Sequence, residues 1–168
     1  MKKIVNIISK IISFIVMAVL LAIVITNIYI IGMKHIKGVD QPTVFGYTYA
    51  IVLSGSMADT INVDDIVVTK KCDSYEKGDI IMFNTESMTV THRVIEVTEE
   101  GYITKGDANN AEDNWIIKDD DTVGKVVKII PKAGSVIGFL QTPLGMLILV
   151  LLAFGISAAT SFLDNKKK

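Results

Sequence analysis

Apolar residues are concentrated near the two ends of this 168-residue chain. Two long stretches, 11–31 and 136–162, contain no charged residue. A helix of roughly 20 apolar residues is long enough to cross the hydrocarbon core of a bilayer. We therefore predict transmembrane helices over residues 11–32 and 144–163.

The first apolar stretch has a second interpretation, because Lys2 and Lys3 precede it as they would in a cleavable secretory signal. The apolar region of such a signal is roughly 7–15 residues long and is followed closely by a site with small residues. This stretch is longer, and no small-x-small site follows it closely. The pattern therefore favours a retained membrane anchor.

Between the predicted helices, residues 39–132 alternate short apolar runs with clusters of Gly, Asp and Asn. The runs are IVVTK, DIIMF, TVTHRVIEV, GYITKG and VGKVVKII. Short runs rich in β-branched residues and bounded by turn residues are typical of strands. No amphipathic helix of convincing length interrupts them, so we predict a mainly β domain over 39–132.

Charge separates this middle region from the two ends. From Gly38 to Pro131 there are eight Lys or Arg and seventeen Asp or Glu, a net charge of about −9. Such an acidic region argues against nucleic acid as a partner, since nucleic-acid binding depends on cationic contacts to phosphates.

Lysines flank the predicted helices on the sides that face the chain ends: Lys2, Lys3, Lys10, Lys166, Lys167 and Lys168. Cytoplasmic segments of membrane proteins carry an excess of Lys and Arg. We therefore predict that 1–10 and 164–168 are cytoplasmic and that the β domain lies outside. Lys34 and Lys37, just beyond the first helix, weaken this prediction without reversing it.

The residues that bind metals and cofactors are scarce. Cys72 is the only cysteine, so the chain has no internal disulfide. His35 and His92 are the only histidines, and they form no Cys/His cluster of the kind that holds zinc. With no glycine-rich phosphate loop either, we expect neither a metal nor a cofactor.

The sequence LSGSM holds two serines, Ser54 and Ser56, on either side of Gly55. One interpretation is a serine-rich turn between two strands, in which the glycine takes a backbone conformation that other residues resist. The other is that one serine is a nucleophile. A serine hydroxyl becomes a useful nucleophile only when a base removes its proton.

His92 is the only histidine of the predicted β domain. Period-two alternation in VTHRVIEV puts Val90, His92 and Val94 on one face of a strand. A lone histidine on an apolar face is most often a core residue with its hydrogen bonds satisfied. The alternative is a neutral imidazole that serves as a general base near neutral pH.

Asp107 and Asp113 lie six residues apart in GDANNAED. Asp and Asn are common in solvated turns, which is the simplest interpretation. A carboxylate can also orient an imidazole and stabilise the imidazolium that forms during catalysis. Each signal is weak alone, but together they place Ser, His and Asp in one small domain.

The order and rough spacing of several segments resemble the successive conserved boxes of type I signal peptidases. The segments are SGSM, YEKGDIIMF, THRVIEV, YITKGDANNAED and VGKVV. Most bacterial members have a serine–lysine dyad, whereas the endoplasmic-reticulum and archaeal branch has histidine at the lysine position. His92 at that position resembles this branch, and most of all the W-type signal peptidases of spore-forming Gram-positive bacteria.

The resemblance implies a role for each candidate residue. Ser56 would be the nucleophile, His92 the general base, and Asp113 the aspartate of the triad. Asp107 would support the site. Ser54 and the backbone N–H of Ser56 would form the oxyanion hole. The family usually continues SGSM with Glu-Pro-Thr, whereas this chain has Ala58, Asp59 and Thr60. The loss of the proline removes a rigid turn element and leaves the chemical residues in place.

The resemblance also implies a β-rich, barrel-like catalytic domain on the outer face of the cell membrane, flanked by an N-terminal and a C-terminal transmembrane helix. The substrates would be the signal peptides of exported precursors, and the bilayer would be the second partner. Two alternatives remain open. One is a membrane protease with a serine–lysine dyad that uses Lys70, Lys71 or Lys105. The other is a non-catalytic β domain that binds a partner or scaffolds a surface assembly.

Overall fold

A computed structural model describes residues 2–37 and 43–165 of the chain. The chain divides into two compact units, Met1–Val39 with Ile137–Lys168, and Asp40–Val136. The first unit is helical, and the second is built around one antiparallel sheet.

The sheet has seven strands, and every strand pair is antiparallel. Their order across the sheet is β1-β2-β7-β3-β4-β5-β6. The strands are β1 Tyr47–Ile51, β2 Ile66–Lys70, β3 Ile80–Asn84, β4 Thr89–Thr98, β5 Gly101–Lys105, β6 Ile116–Ile117 and β7 Thr122–Ile130. A single turn of 3-10 helix, Asp119–Asp121, precedes β7.

The prediction of a mainly β domain is confirmed. The five predicted runs correspond to β2, β3, β4, β5 and β7, and the structure adds the short strands β1 and β6. Among the described residues the strand pairings leave β1 and β6 as the edges of an open sheet. Closure into the barrel that the resemblance implied stays a prediction.

Two apolar clusters pack in the sheet unit. Because side chains alternate across a strand, Ile81 and Phe83 of β3 point to one face and Met82 to the other. The first cluster contains Tyr75, Ile81, Phe83, Val94, Tyr102 and Ile117. The second contains Met57, Ile61, Val67 and Met82. A serine-bearing loop is thus packed into the core through Met57.

In the helical unit, α1 covers Lys2–Lys37, and its segment Lys10–Met33 is long and apolar enough to cross a membrane. The predicted first span therefore lies in a helix of suitable length and composition. Asn27 is buried within this segment, and its Nδ2 donates to the carbonyl of Leu140 at 3.1 Å. A buried polar group needs such a partner to offset the loss of its contacts with water.

Two further helices follow the sheet, α2 Gly134–Leu140 and α3 Pro143–Asn165. The two helices meet at a bend of 79°. Only when taken together, over Gly134–Leu140 and Pro143–Ile156, are they long and apolar enough to cross a membrane. Thr142 Oγ1 accepts the N–H of Gly145 at 3.0 Å, the usual bond of a helix cap. The second predicted span stays a prediction, since a bent pair can also be a re-entrant segment.

Candidate active site

His92 lies in the middle of β4, where it pairs with Ile81 of β3. Its side chain is 7% exposed, and its ring packs edge-to-face against Phe83 with the centroids 6.4 Å apart. Val94, two residues along the strand, is fully buried. The period-two prediction for this strand is therefore confirmed, with His92 on the core face.

The buried imidazole has a carboxylate partner. His92 Nδ1 lies 2.6 Å from Asp113 Oδ2, and the Asp113 side chain is also 7% exposed. Thr104 Oγ1 donates to the same carboxylate oxygen at 2.6 Å. The backbone N–H of Asp113 donates to the carbonyl of Thr104 at 2.9 Å, which fixes the carboxylate beside β5.

This arrangement has a chemical consequence for the imidazole. When Nδ1 carries the proton and donates to Asp113, Nε2 of His92 presents a lone pair and can accept a proton. The carboxylate would then stabilise the imidazolium that results. The pair is thus suited to general-base chemistry at Nε2.

The candidate nucleophile lies in the serine loop, which we define as residues 53–63 between β1 and β2. Ser56 is half-buried, and its Oγ is 3.5 Å from Ser54 Oγ. The carbonyl of Ser56 accepts the backbone N–H of Ala108 at 2.9 Å. Among the described residues the N–H of Ser56 has no hydrogen-bond acceptor, so it is available to a ligand.

Ala108 belongs to the aspartate loop, which we define as residues 106–113. This loop begins beside His92, because Lys105 at the end of β5 pairs with Arg93 of β4. Gly106 is the next residue, and a Cβ built there would lie 2.5 Å from the Ser56 carbonyl oxygen. Only glycine allows this approach without a shift of the backbone, so Gly106 brings the serine loop close to the part of β4 that carries His92 and Arg93.

Within the described residues, Ser56 Oγ makes no hydrogen bond to His92. Its hydrogen-bond neighbour is Ser54 Oγ instead. Catalytic hydrogen bonds are often long or misaligned in the absence of substrate and tighten when it binds. The structure thus joins the serine loop to the aspartate loop, and Asp113 of the aspartate loop to His92 of β4, but leaves the serine–histidine contact unformed.

Asp107 has different partners from Asp113. Its carboxylate accepts two bonds from Arg93, Nε at 2.8 Å and Nη2 at 2.6 Å, and a third from Thr60 Oγ1 at 2.6 Å. The hydrogen bond from Arg93 is the main cause that lowers the pKa of Asp107 from its ordinary value. Asp107 thus joins the aspartate loop to the serine loop through Thr60.

Two of the lysines considered as alternative bases have partners elsewhere in the sheet unit. Lys71 Nζ donates to the carbonyls of Asp119 and Thr122 at 2.7 and 2.6 Å, and to Thr122 Oγ1 at 2.9 Å. Lys70 Nζ lies 5.8 Å from the centre of the Tyr47 ring. Lys105 is half-buried at the end of β5, opposite Arg93.

Sequence reasoning missed Thr104, Arg93 and Met57. Met57 Sδ accepts the N–H of Asp107 at 3.3 Å, and Thr104 and Arg93 hold the two carboxylates. Arg93 follows the histidine directly, and Met57 follows the serine directly, so adjacency was the one available signal. Thr104 gave none, because its contact with Asp113 depends on how the loop folds back.

Chemistry that depends on a metal would need a cluster of ligands. Nowhere in residues 2–37 and 43–165 do three or more His, Cys, Asp or Glu residues form a group that could hold a metal ion.

Comparison with known proteins finds no matching family model. The chain is 33% identical over 120 residues to signal peptidase I W of Bacillus subtilis, a match that covers 67% of this chain and 63% of that protein. It is 30% identical over 126 residues to the signal peptidase complex catalytic subunit SEC11 of Clavispora lusitaniae, covering 66% of this chain and 76% of the relative.

A second SEC11 catalytic subunit, from Komagataella phaffii, is 29% identical over 120 residues, with 60% of this chain and 70% of the relative covered. The chain thus spans a little under two thirds of the length of the Bacillus relative.

Proposed function

Because the chain belongs to the signal peptidase family, in the branch that includes the Bacillus W-type and SEC11 relatives, we propose that it is a membrane-bound serine endopeptidase that removes signal peptides from exported precursors. The observation that supports the proposal most is the 2.6 Å contact between His92 Nδ1 and Asp113 Oδ2. A buried imidazole with an oriented tautomer is what a serine nucleophile needs as its base.

In this mechanism Ser56 Oγ attacks the carbonyl carbon of the scissile peptide bond while Nε2 of His92 takes the hydroxyl proton. Asp113 stabilises the imidazolium, which then gives the proton to the leaving amine. The products of this step are an acyl ester on Ser56 and the released mature protein. A water activated by His92 hydrolyses the ester and frees the signal peptide.

The oxyanion of the tetrahedral intermediate would lie between the N–H of Ser56 and the hydroxyl of Ser54. The N–H of Ser56, which has no acceptor among the residues that the structure describes, supports this assignment. For proton transfer, Ser56 Oγ must turn from Ser54 toward His92. Two fixed donors at such a position typically contribute a factor of about 10²–10³ each to turnover.

The substrate would bind extended, by strand addition next to the serine loop. Strand β1 is an edge of the sheet and leads through Val52 into the serine loop, so an extended substrate bound along β1 would lie next to that loop. Shallow pockets would select small residues at the positions one and three before the cut. Lys71 is disfavoured as the base because its Nζ already has three oxygen partners.

The proposal is tested by co-expressing the chain with a precursor that carries a signal peptide, followed by N-terminal sequencing of the product. Wild type is expected to yield one mature N-terminus directly after a small residue, and Ser56→Ala is expected to yield intact precursor. Ser54→Ala, with a matched loss of one hydroxyl, is expected to cleave more slowly at the same bond. Equal processing by wild type and Ser56→Ala would refute the proposal.

A further inference from the structure

Asp64 stands at the end of the serine loop in an unusual conformation. Its φ is +73°, in the left-handed region that few residues other than glycine, asparagine and aspartate occupy. Such a conformation persists when surrounding contacts determine it. We therefore examine which contacts hold Asp64 in this backbone conformation.

The backbone of Asp64 closes the serine loop. Its N–H donates to the carbonyl of Val52 at 3.0 Å, and the N–H of Val52 donates to the carbonyl of Asp65 at 2.9 Å. Val52 precedes the loop and Asp64 follows it, so these two bonds fix both ends of the segment that carries Ser56.

The side chain of Asp64 makes a second connection. Asp64 Oδ1 accepts both the N–H and the Oγ–H of Ser135, each at 2.6 Å. The carbonyl of Asp64 also accepts the N–H of Gly134 at 2.8 Å. We define these three hydrogen bonds to Asp64 as the Asp64 clamp. The two bonds to its carboxylate are the stronger ones, because hydrogen bonds to a charged group are stronger than those between neutral groups.

The packing around the clamp leaves little freedom. Gly134 is buried, and a Cβ built there would lie 2.6 Å from Ile51 Cγ2 and 2.9 Å from Asp64 Oδ1. The neighbouring Asp65 is buried too, and its Oδ1 accepts the N–H of Lys132 at 3.0 Å. Gly134 and Ser135, the first two residues of α2 and part of the sheet unit, are thus held against the end of the serine loop.

From these contacts we propose that Asp64 is a positioning residue for cleavage: its carboxylate holds the first turn of α2 against the serine loop and so keeps Ser56 in its reactive place. The inference rests on the function proposed above. It assigns Asp64 no contact with substrate. Asp64 acts through the loop, so its loss should lower turnover more than substrate binding.

Substitutions at Asp64 can separate the clamp from the backbone conformation. Asp64→Gly keeps a residue that tolerates positive φ and removes the carboxylate. Asp64→Asn keeps both the tolerance and an Oδ1 acceptor. Asp59 is a matched control, because it lies in the same loop at φ +72° and no hydrogen bond of its side chain occurs among the described residues. Asp59→Gly thus replaces an aspartate by glycine at the same kind of positive-φ position and leaves the Asp64 clamp intact.

The partner residue gives a double-mutant cycle. Ser135→Pro removes both donors to Asp64 Oδ1, and proline is tolerated in the first turn of a helix. The double variant with Asp64→Gly should be no slower than the slower single variant, since both single changes remove one interaction.

The experiment measures kcat and KM on the full-length protein in detergent, together with hydrogen–deuterium exchange of peptides that cover 52–65 and 132–137. For Asp64→Gly we expect kcat to fall about tenfold or more, KM to change by less than about twofold, and exchange to accelerate in both peptides. Asp64→Asn should retain most of the wild-type turnover, and Asp59→Gly should match wild type.

Wild-type kcat in Asp64→Gly would overturn the inference, as would equal losses in Asp64→Gly and Asp64→Asn or additive losses in the double variant. Unchanged exchange in Asp64→Gly would overturn it even without a cleavage assay. If wild type itself does not cleave while exchange in Asp64→Gly accelerates at both peptides, the clamp is supported and the proposed function is what fails.

Discussion

At the residue scale, the two aspartates of one loop have separate surroundings. Asp113 is buried and bonds to His92 and Thr104, whereas Asp107 is partly exposed and bonds to Arg93 and Thr60. From the sequence, spacing alone could not choose between them, and only the family resemblance favoured Asp113. The contacts that distinguish them join segments far apart in the sequence, which no local pattern encodes.

Asp113→Asn is expected to lower turnover by about 10⁴, because an amide cannot hold the required imidazole tautomer. Rates of precursor cleavage by the purified protein measure this. Thr104→Val keeps the shape of the side chain but removes one hydrogen bond to the carboxylate, so a loss of only about tenfold is expected. A larger loss in Thr104→Val than in Asp113→Asn would contradict this order.

His92→Lys tests the base, because related enzymes have lysine at this position. A lysine acts as a base only when its surroundings keep it neutral. Here Asp113 lies 2.6 Å from the imidazole and would favour the charged ammonium. We therefore expect His92→Lys to be nearly as inactive as His92→Ala in the same cleavage assay. Substantial activity of His92→Lys would show that the site supports a lysine base.

Asp107 should make stability depend on pH. Its pKa is lowered, mainly by the hydrogen bond from Arg93. The pair therefore stabilises the fold fully above the unfolded-state pKa of about 3.9, and the stabilisation is lost as pH falls through the lower folded pKa. The Tm difference between wild type and Asp107→Asn should be constant from about pH 7 to 5 and shrink below about pH 4. A difference that grows on acidification would contradict this account.

At the element scale, the five strands with β-branched alternation were predictable from the sequence. Strand β6 was not, because its two residues, Ile116 and Ile117, are too few for a pattern. The position of β7 between β2 and β3 was not predictable either, since it depends on pairings between distant segments. The bend after Leu140 has a local signal in Thr142 and Pro143, which are typical cap and first-turn residues.

Gly106 tests the contact between the serine and aspartate loops. A Cβ at this position would lie 2.5 Å from the Ser56 carbonyl oxygen and 2.7 Å from Asn109 Nδ2. The amide side chain can move, but the carbonyl belongs to the backbone that carries the nucleophile. Gly106→Ala should therefore lower kcat by about tenfold or more, since small misplacements of reacting groups cost up to about 10²-fold.

Asn109→Ala is the control for this change. It removes the Asn109 amide, the other group that a Cβ at position 106 would meet, and adds no Cβ beside Ser56. It should cleave at close to the wild-type rate. Equal rates for Gly106→Ala and wild type would mean that the approach of the two loops does not position Ser56.

At the scale of the whole molecule, the acidic sheet unit and the lysine-rich ends set an expectation for topology. The segment Lys10–Met33 can span a membrane, and α2 with α3 forms a bent apolar pair. Protease added outside intact protoplasts is expected to cut within 39–132 and to spare tags at both termini. Protection of residues 39–132 from the added protease would contradict this orientation. It would also contradict the proposed substrates, because signal peptides that emerge outside the cell could not reach the sheet unit.

The central claim is that Ser56 is the nucleophile of a peptidase, and purified full-length protein in detergent tests it most directly. The measurement is the cleavage rate of a quenched fluorescent peptide that contains a signal-peptide junction, for wild type, Ser56→Ala and Ser54→Ala. We predict a loss of about 10³ or more for Ser56→Ala with unchanged Tm, and a smaller loss for Ser54→Ala. A folded Ser56→Ala that cleaves at a rate near wild type would contradict the account.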